Sequence, residues 1–98
     1  MDEILLRLDG CRLPSYTRRV WYTVSVEPGQ SVTLTHEGRD PSVLRWGAIR
    51  QVYDAAIAEG GLTPSRVDEI LRVHSADHNS STMCALVLAM LQPARVQE

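Results

Sequence analysis

Three groups of residues in this sequence have the types and spacings from which chemistry can be built. They are a His/Asp cluster, a thiol inside an apolar run, and a set of arginines near a tryptophan. His74, Asp77 and His78 form the cluster. Two imidazoles four residues apart on a helix can share a metal, and a nearby carboxylate can add an oxygen ligand. A hydrolase of the HExxH kind needs a glutamate directly after the first histidine, and Ser75 stands there instead. With no supporting ligand nearby, the cluster reads as polar capping of a helix end followed by a solvated turn, so no metal or cofactor is assigned.

The remaining catalytic arrangements fare no better. Cys84 sits inside the uncharged stretch Thr82–Leu91, where desolvation raises a thiol's pKa and suppresses the thiolate. Ser80, Ser81 and Thr82 stand where a helix needs a cap. Asp68 and Glu69 are consecutive, so a helix points them in different directions. Gly60-Gly61 lacks the GxxxxGK frame of a phosphate loop. The sequence therefore reads as non-catalytic, and a small metal-dependent or thiol enzyme is the third and weakest reading.

The arginines give a stronger lead. Arg18 and Arg19 enter a predicted strand, Arg39 falls in the loop after the next strand, and Arg45 and Arg50 lie on a predicted helix. If that loop folds back toward the strand entry, Arg18, Arg19, Arg39, Arg45 and Arg50 make one basic patch beside Trp21. Tryptophan and arginine dominate the energy of protein interfaces. The same pairing also suits phosphate contact with base stacking. Yet the formal net charge is −2, unlike a protein that coats nucleic acid. All ten basic residues are arginine, a usage that a GC-rich coding sequence explains without selection for the guanidinium fork.

The elements that must position these residues follow from periodicity. Asp2–Leu8 reads as a short helix with Ile4, Leu5 and Leu8 on one face, stopped at Gly10. Cys11–Thr17, with Pro14, is a connector with room for a short edge strand. Val20, Tyr22, Val24 and Val26 alternate with Trp21, Thr23 and Ser25, and Val32, Leu34 and His36 alternate with Ser31, Thr33 and Thr35. This is the two-residue period of half-buried strands. Glu27-Pro28-Gly29-Gln30 between them fits a type II turn, which makes a β-hairpin.

Helical spacing runs from Ser42 to Glu59 through Val43, Trp46, Ile49, Val52, Tyr53, Ala56 and Ile57, ending at Gly60-Gly61. Thr63 and Pro64 open another helix as N-cap and first residue, with Val67, Ile70, Leu71 and His74 toward the core. Ser80 or Ser81 caps the last helix. The 98 residues thus make one small α+β domain. Residues 1–17 are helix and connector, 18–37 the hairpin, 42–92 three helices, and 93–98 a tail.

The last helix has no charged residue, so it must be buried by its own chain or by the same helix of a second copy; a homodimer through Thr82–Leu91 is the second option. The apolar run is about half of the ~20 residues that span a bilayer, which predicts no membrane partner. An acidic start unlike a signal peptide, and two widely separated cysteines, Cys11 and Cys84, that read as free thiols, predict a cytoplasmic location.

The strands VWYTVSV and SVTLTH, the helix WGAIRQVYDAAIAEGGL, the following GLTPSRVDEIL and the closing SSTMCALVLAML resemble small winged-helix-like modules that accompany bacterial restriction and defence proteins. That resemblance implies a DNA-associated accessory role. Here the final helix is wholly apolar, whereas a groove-reading helix needs a polar face, so DNA contact would fall to the hairpin and its arginines. The function expected first is a bacterial or phage adaptor or regulator. It binds a protein partner through the hairpin face, with Trp21 as anchor and Arg18, Arg19, Arg39 and Arg45 as rim. A DNA-binding accessory module of a defence system is the alternative.

Overall fold

Pro28 and Gly29 set the register of the sheet. The Gln30 N–H donates to the Glu27 carbonyl at 3.0 Å, and Gly29 has φ of 74°, the left-handed value that the third position of a type II turn requires. In the computed structural model, which describes residues 1–74 and 79–98, this turn joins β2 (Trp21–Glu27) to β3 (Ser31–Thr35). The register runs from Glu27↔Ser31 to Thr23↔Thr35. The predicted connector strand is present as β1 (Arg12–Pro14), paired antiparallel with β2.

A fourth strand, β4 (Ser42–Arg45), lies against β3 from Leu34↔Ser42 to Ser31↔Arg45. This corrects the helix expected to begin at Ser42. Four residues are too few to separate a period of 2 from one of 3.6, and the open edge of β3 offers hydrogen bonds that a helix would leave unmade. Leu44 is buried while Val43 is 50% exposed, the alternation of a strand. The ladder ends where the Trp46 N–H donates to the Gln30 carbonyl at 2.9 Å.

The helices are α1 (Asp2–Arg7), α2 (Trp46–Glu59), α3 (Pro64–His74) and α4 (Ser80–Leu91), followed by a 3-10 turn at Pro93–Arg95. Trp46, Ile49, Val52 and Ala56 form the buried stripe of α2. Ile57, expected on it, is 55% exposed. Thr63 caps α3 by accepting the Arg66 N–H at 3.3 Å. Asn79, not Ser80 or Ser81, occupies the N-cap position of α4.

The inner face of the sheet supplies Leu13, Val24, Val32, Leu34 and Leu44 to the core, and α4 supplies every residue from Thr82 to Met90. α4 contacts α3, α2 and β1, so its own chain encloses it. A second copy would find no exposed apolar face along Thr82–Met90. Each large side chain buried there contributes about 1.5–3 kcal/mol of transfer free energy, which makes α4 the axis of the fold. Among the described residues no helix is long and apolar enough to cross a membrane.

The expected tail is partly ordered onto the sheet. Gln97 forms an antiparallel bridge with Arg12. The Arg12 N–H donates to the Gln97 carbonyl at 2.6 Å, and the Gln97 N–H returns the bond at 2.7 Å. The outer edge of β1 is thereby partly closed.

Candidate functional site

Because opposed residues in an antiparallel ladder share a face, the register assigns the sheet's outer surface directly. Arg12 and Pro14 of β1, Trp21, Thr23, Ser25 and Glu27 of β2, Ser31, Thr33 and Thr35 of β3, and Val43 and Arg45 of β4 share that face, where Pro14 is itself buried. Trp21 is 37% exposed. The expected single large aromatic is there, and what partly shields it is the Arg12 guanidinium, 5.6 Å from the ring centroid. A guanidinium over an indole is attracted by the ring's negative face.

The loop from β1 to β2 places Arg18 and Arg19. The Ser15 N–H donates to the Val20 carbonyl at 2.9 Å, and the Arg18 N–H donates to the Ser15 carbonyl at 2.9 Å. The Ser15 hydroxyl accepts from the Arg19 N–H at 3.2 Å and the Val20 N–H at 3.4 Å. Within this frame Arg18 has φ of 61°, the one non-glycine residue in the left-handed region among those described. Consecutive arginines consequently reach different surfaces. Arg18 lines a groove with Pro14, Trp21, Gln92, Ala94 and Arg95. Arg19 lines a polar depression on the outer surface with Arg12, Trp21, Thr23, Thr35 and Glu37.

Arg19 also borders a cleft of about 620 Å³ at the same end of the sheet. Its walls include Tyr16, Tyr22, His36, Arg39 and Asp40, and the start of α4 at Ser81 and Thr82. Tyr22 and His36 meet edge to face with centroids 5.9 Å apart. Arg39 thus joins Arg19 through this cleft and does not line either of the grooves beside Trp21.

Arg45 does not join the patch. It ends β4 opposite Ser31, at the turn end of the hairpin, four strand positions and about 13 Å from Thr35 at ~3.3 Å per residue. Arg12 and Arg95 take its place beside Trp21, and sequence reasoning missed both. The alternation of Arg12 with Leu13 was the available signal for the first. Nothing local marks Arg95, which arrives through the fold of the C-terminal turn.

The electrostatics divide the molecule. Among the described residues the ion pairs lie on the helical side: Arg50 with Asp2, Arg66 with Glu59 and Glu69, and Arg72 with Asp68. Arg66 hydrogen bonds to Glu59 and holds that carboxyl below its usual range. Arg12, Arg18, Arg19, Arg39 and Arg95 have no carboxylate within 4 Å among the described residues.

The catalytic candidates gain no geometry. Asp77 and His78 lie outside the described residues and His74 ends α3, so the predicted metal cluster falls outside what the structure describes. Elsewhere among the described residues no group of three or more His, Cys, Asp or Glu side chains is placed to hold a metal ion. Burial pushes the Cys84 thiol up to about 11, against a smaller opposing pull from Arg95. Cys11 and Cys84 are both buried and free. No protein-family model matches this chain, and neither a curated protein nor a solved structure matches it.

Proposed function

We propose that this domain is a non-catalytic binding module that docks a protein partner on the outer face of its β-hairpin, with Trp21 as the central anchor. The observation that carries the reading is an indole 37% exposed on a sheet face rich in Ser and Thr, with the Arg12 guanidinium over it and further arginines beside it that have no carboxylate partners among the described residues. Truncating an aromatic anchor at the centre of an interface removes much of its binding energy. Thr23 and Thr35 share the polar depression beside Trp21 with Arg12, Arg19 and Glu37, so a partner there meets hydroxyls and charges together. Arg12, Arg18, Arg19 and Arg95 form the orienting rim, in place of the set expected from the sequence. The fold leaves this role free because α4, not the sheet's outer face, completes the core.

The test is capture from host lysate with and without nuclease, using wild-type chain and Trp21→Ala. A stoichiometric protein retained through nuclease and lost with Trp21→Ala is the expected result. Capture unchanged by Trp21→Ala removes the anchor. The arginine-lined cleft of Arg19 and Arg39 supports a second reading, a DNA-binding accessory role. It requires retained material that disappears with nuclease and binding that weakens steeply with salt.

A further inference from the structure

The Trp21 indole separates two unlike surfaces. On its β3 side, at the end of the sheet, lies the polar depression bordered by Arg12, Arg19 and Glu37. Toward the C-terminal turn lies a groove of about 370 Å³, with Pro14, Trp21 and Ala94 as apolar lining and Arg18 and Arg95 as its charged residues.

This second groove is built in advance of any ligand. Arg95 is half-buried, and its Nε donates to the Gln92 Oε1, which orients the guanidinium. Arg18 is held in a left-handed conformation that costs a non-glycine residue about 1–2 kcal/mol. The Ser15 bonds described above over-determine that conformation. An arginine where glycine or asparagine would sit without strain is an outlier that needs a reason, and such outliers concentrate at ligand contacts. Here the strained backbone brings one guanidinium to the groove while its neighbour Arg19 serves the opposite side of Trp21.

We infer that the groove receives an extended acidic segment of the partner protein. One aromatic or large aliphatic side chain rests on Trp21 and Ala94, beside the buried Pro14, and carboxylates before and after it pair with Arg18 and Arg95. The inference rests on the reading of Trp21 as a protein-docking anchor and adds the chemistry of what docks there. Charge complementarity carries it, because two guanidinium groups without carboxylate partners among the described residues flank an apolar floor, and planar forks match carboxylates in bidentate geometry. A polynucleotide is the poorer fit. Its affinity grows with the number of phosphates neutralised, and this short groove offers two arginines on a chain of net charge −2.

The test is selection of a random peptide library on the full chain, followed by fluorescence anisotropy with an enriched peptide and an oligothymidylate competitor. Enriched sequences should carry Asp or Glu on both sides of an aromatic or aliphatic residue. Arg18→Gly with Arg95→Ala should weaken the peptide about tenfold or more, while Arg45→Ala leaves it within about twofold. Arg18→Gly suits the left-handed position, so that pair of substitutions keeps the fold, which circular dichroism checks. Arg95→Glu alone is the second variant and should weaken binding at least as much as Arg95→Ala. No enrichment, neutral or basic enriched sequences, unchanged affinity in the double variant, or tighter oligothymidylate binding at the same arginines would overturn the inference. In lysate capture, loss with Trp21→Ala but not with Arg18→Gly/Arg95→Ala sinks the groove alone. Retention with Trp21→Ala sinks the docking reading beneath it.

Discussion

The two faces of the sheet come from alternate residues of the same strands, yet they do opposite work. Leu13, Val24, Val32, Leu34 and Leu44 point inward and are almost wholly buried, while Trp21 and Val43 on the outer face remain 37% and 50% exposed. Inward, shape and apolar area are demanded by α4, which has no charged residue and is buried from Thr82 to Met90. Outward, no packing demand exists, so residue choice there is free to answer to something else. It carries hydroxyls, one indole, the exposed Val43, the Glu27 carboxylate and arginines, while the described ion pairs gather on the helices. The difference teaches that the surface with the least structural reason for its composition is the one to test for function.

The sharpest way to break this comparison is to cut into α4. Leu86→Ala at full burial should cost about 2–5 kcal/mol, by lost transfer energy plus a cavity. That is much of the stability of a domain this size, and urea unfolding measures it. An effect below about 1 kcal/mol would mean that α4 is not the core's axis.

Cys84 tests the same interior by chemistry. With its thiol at about 11 against 9.0 unperturbed, a Cys11→Ala background should alkylate at Cys84 about a hundredfold slower than a free thiol at pH 8, since the thiolate is the nucleophile. The sign for stability follows from linkage. A thiol whose folded pKa is raised binds its proton more tightly folded, so its contribution is complete below pH 9 and is lost as pH rises toward 11. Cys84→Ala should flatten that part of the pH–stability curve.

On the outer face the ranking inverts. Trp21→Ala should weaken partner binding by about 2 kcal/mol or more while leaving thermal stability within about 1 kcal/mol. If it unfolds the domain instead, the indole belongs to the core and the contrast between the faces fails. Ser15→Ala removes a hydroxyl that accepts two backbone N–H groups and should cost about 1 kcal/mol, with the Arg18–Arg19 loop losing hydrogen-exchange protection first. Smallest and opposite in sign, Arg18→Gly should stabilise the chain by several tenths of a kcal/mol through relief of the left-handed strain. The same change should reduce binding, a trade of stability for function read by melting temperature and anisotropy together.

Much of the fold is legible in the sequence. The hairpin turn could be read because proline and glycine each have few backbone options, and α3 because Thr63 and Pro64 are strong start signals. The α+β class followed from the switch of hydrophobic period after the hairpin. Ser42–Arg45 was misread because a four-residue strand carries too little period, and its pairing energy comes from β3, not from itself. The candidate site was half legible. Trp21 falls where the alternation of the first hairpin strand puts it, on the outer face, while Arg18 and Arg19, expected to enter that strand, lie in the loop before it. Grouping Arg45 with them depends on the helix expected from Ser42; as the last residue of β4 it lies opposite Ser31, at the turn end of the hairpin.

By itself the sequence determined which residues must be buried and which could turn the chain, since transfer free energy and allowed φ are properties of single residues and short windows. It also determined that the last helix needed cover. Only the tertiary structure decided who provides that cover, and it brought Arg12 and Arg95 to Trp21 from positions that adjoin it in neither spacing nor period. The bridge from Arg12 to Gln97 and the packing of α4 on β1 arise from contacts between distant segments. The free energy of such contacts exists only once the chain has closed on itself, which is why no local pattern records them.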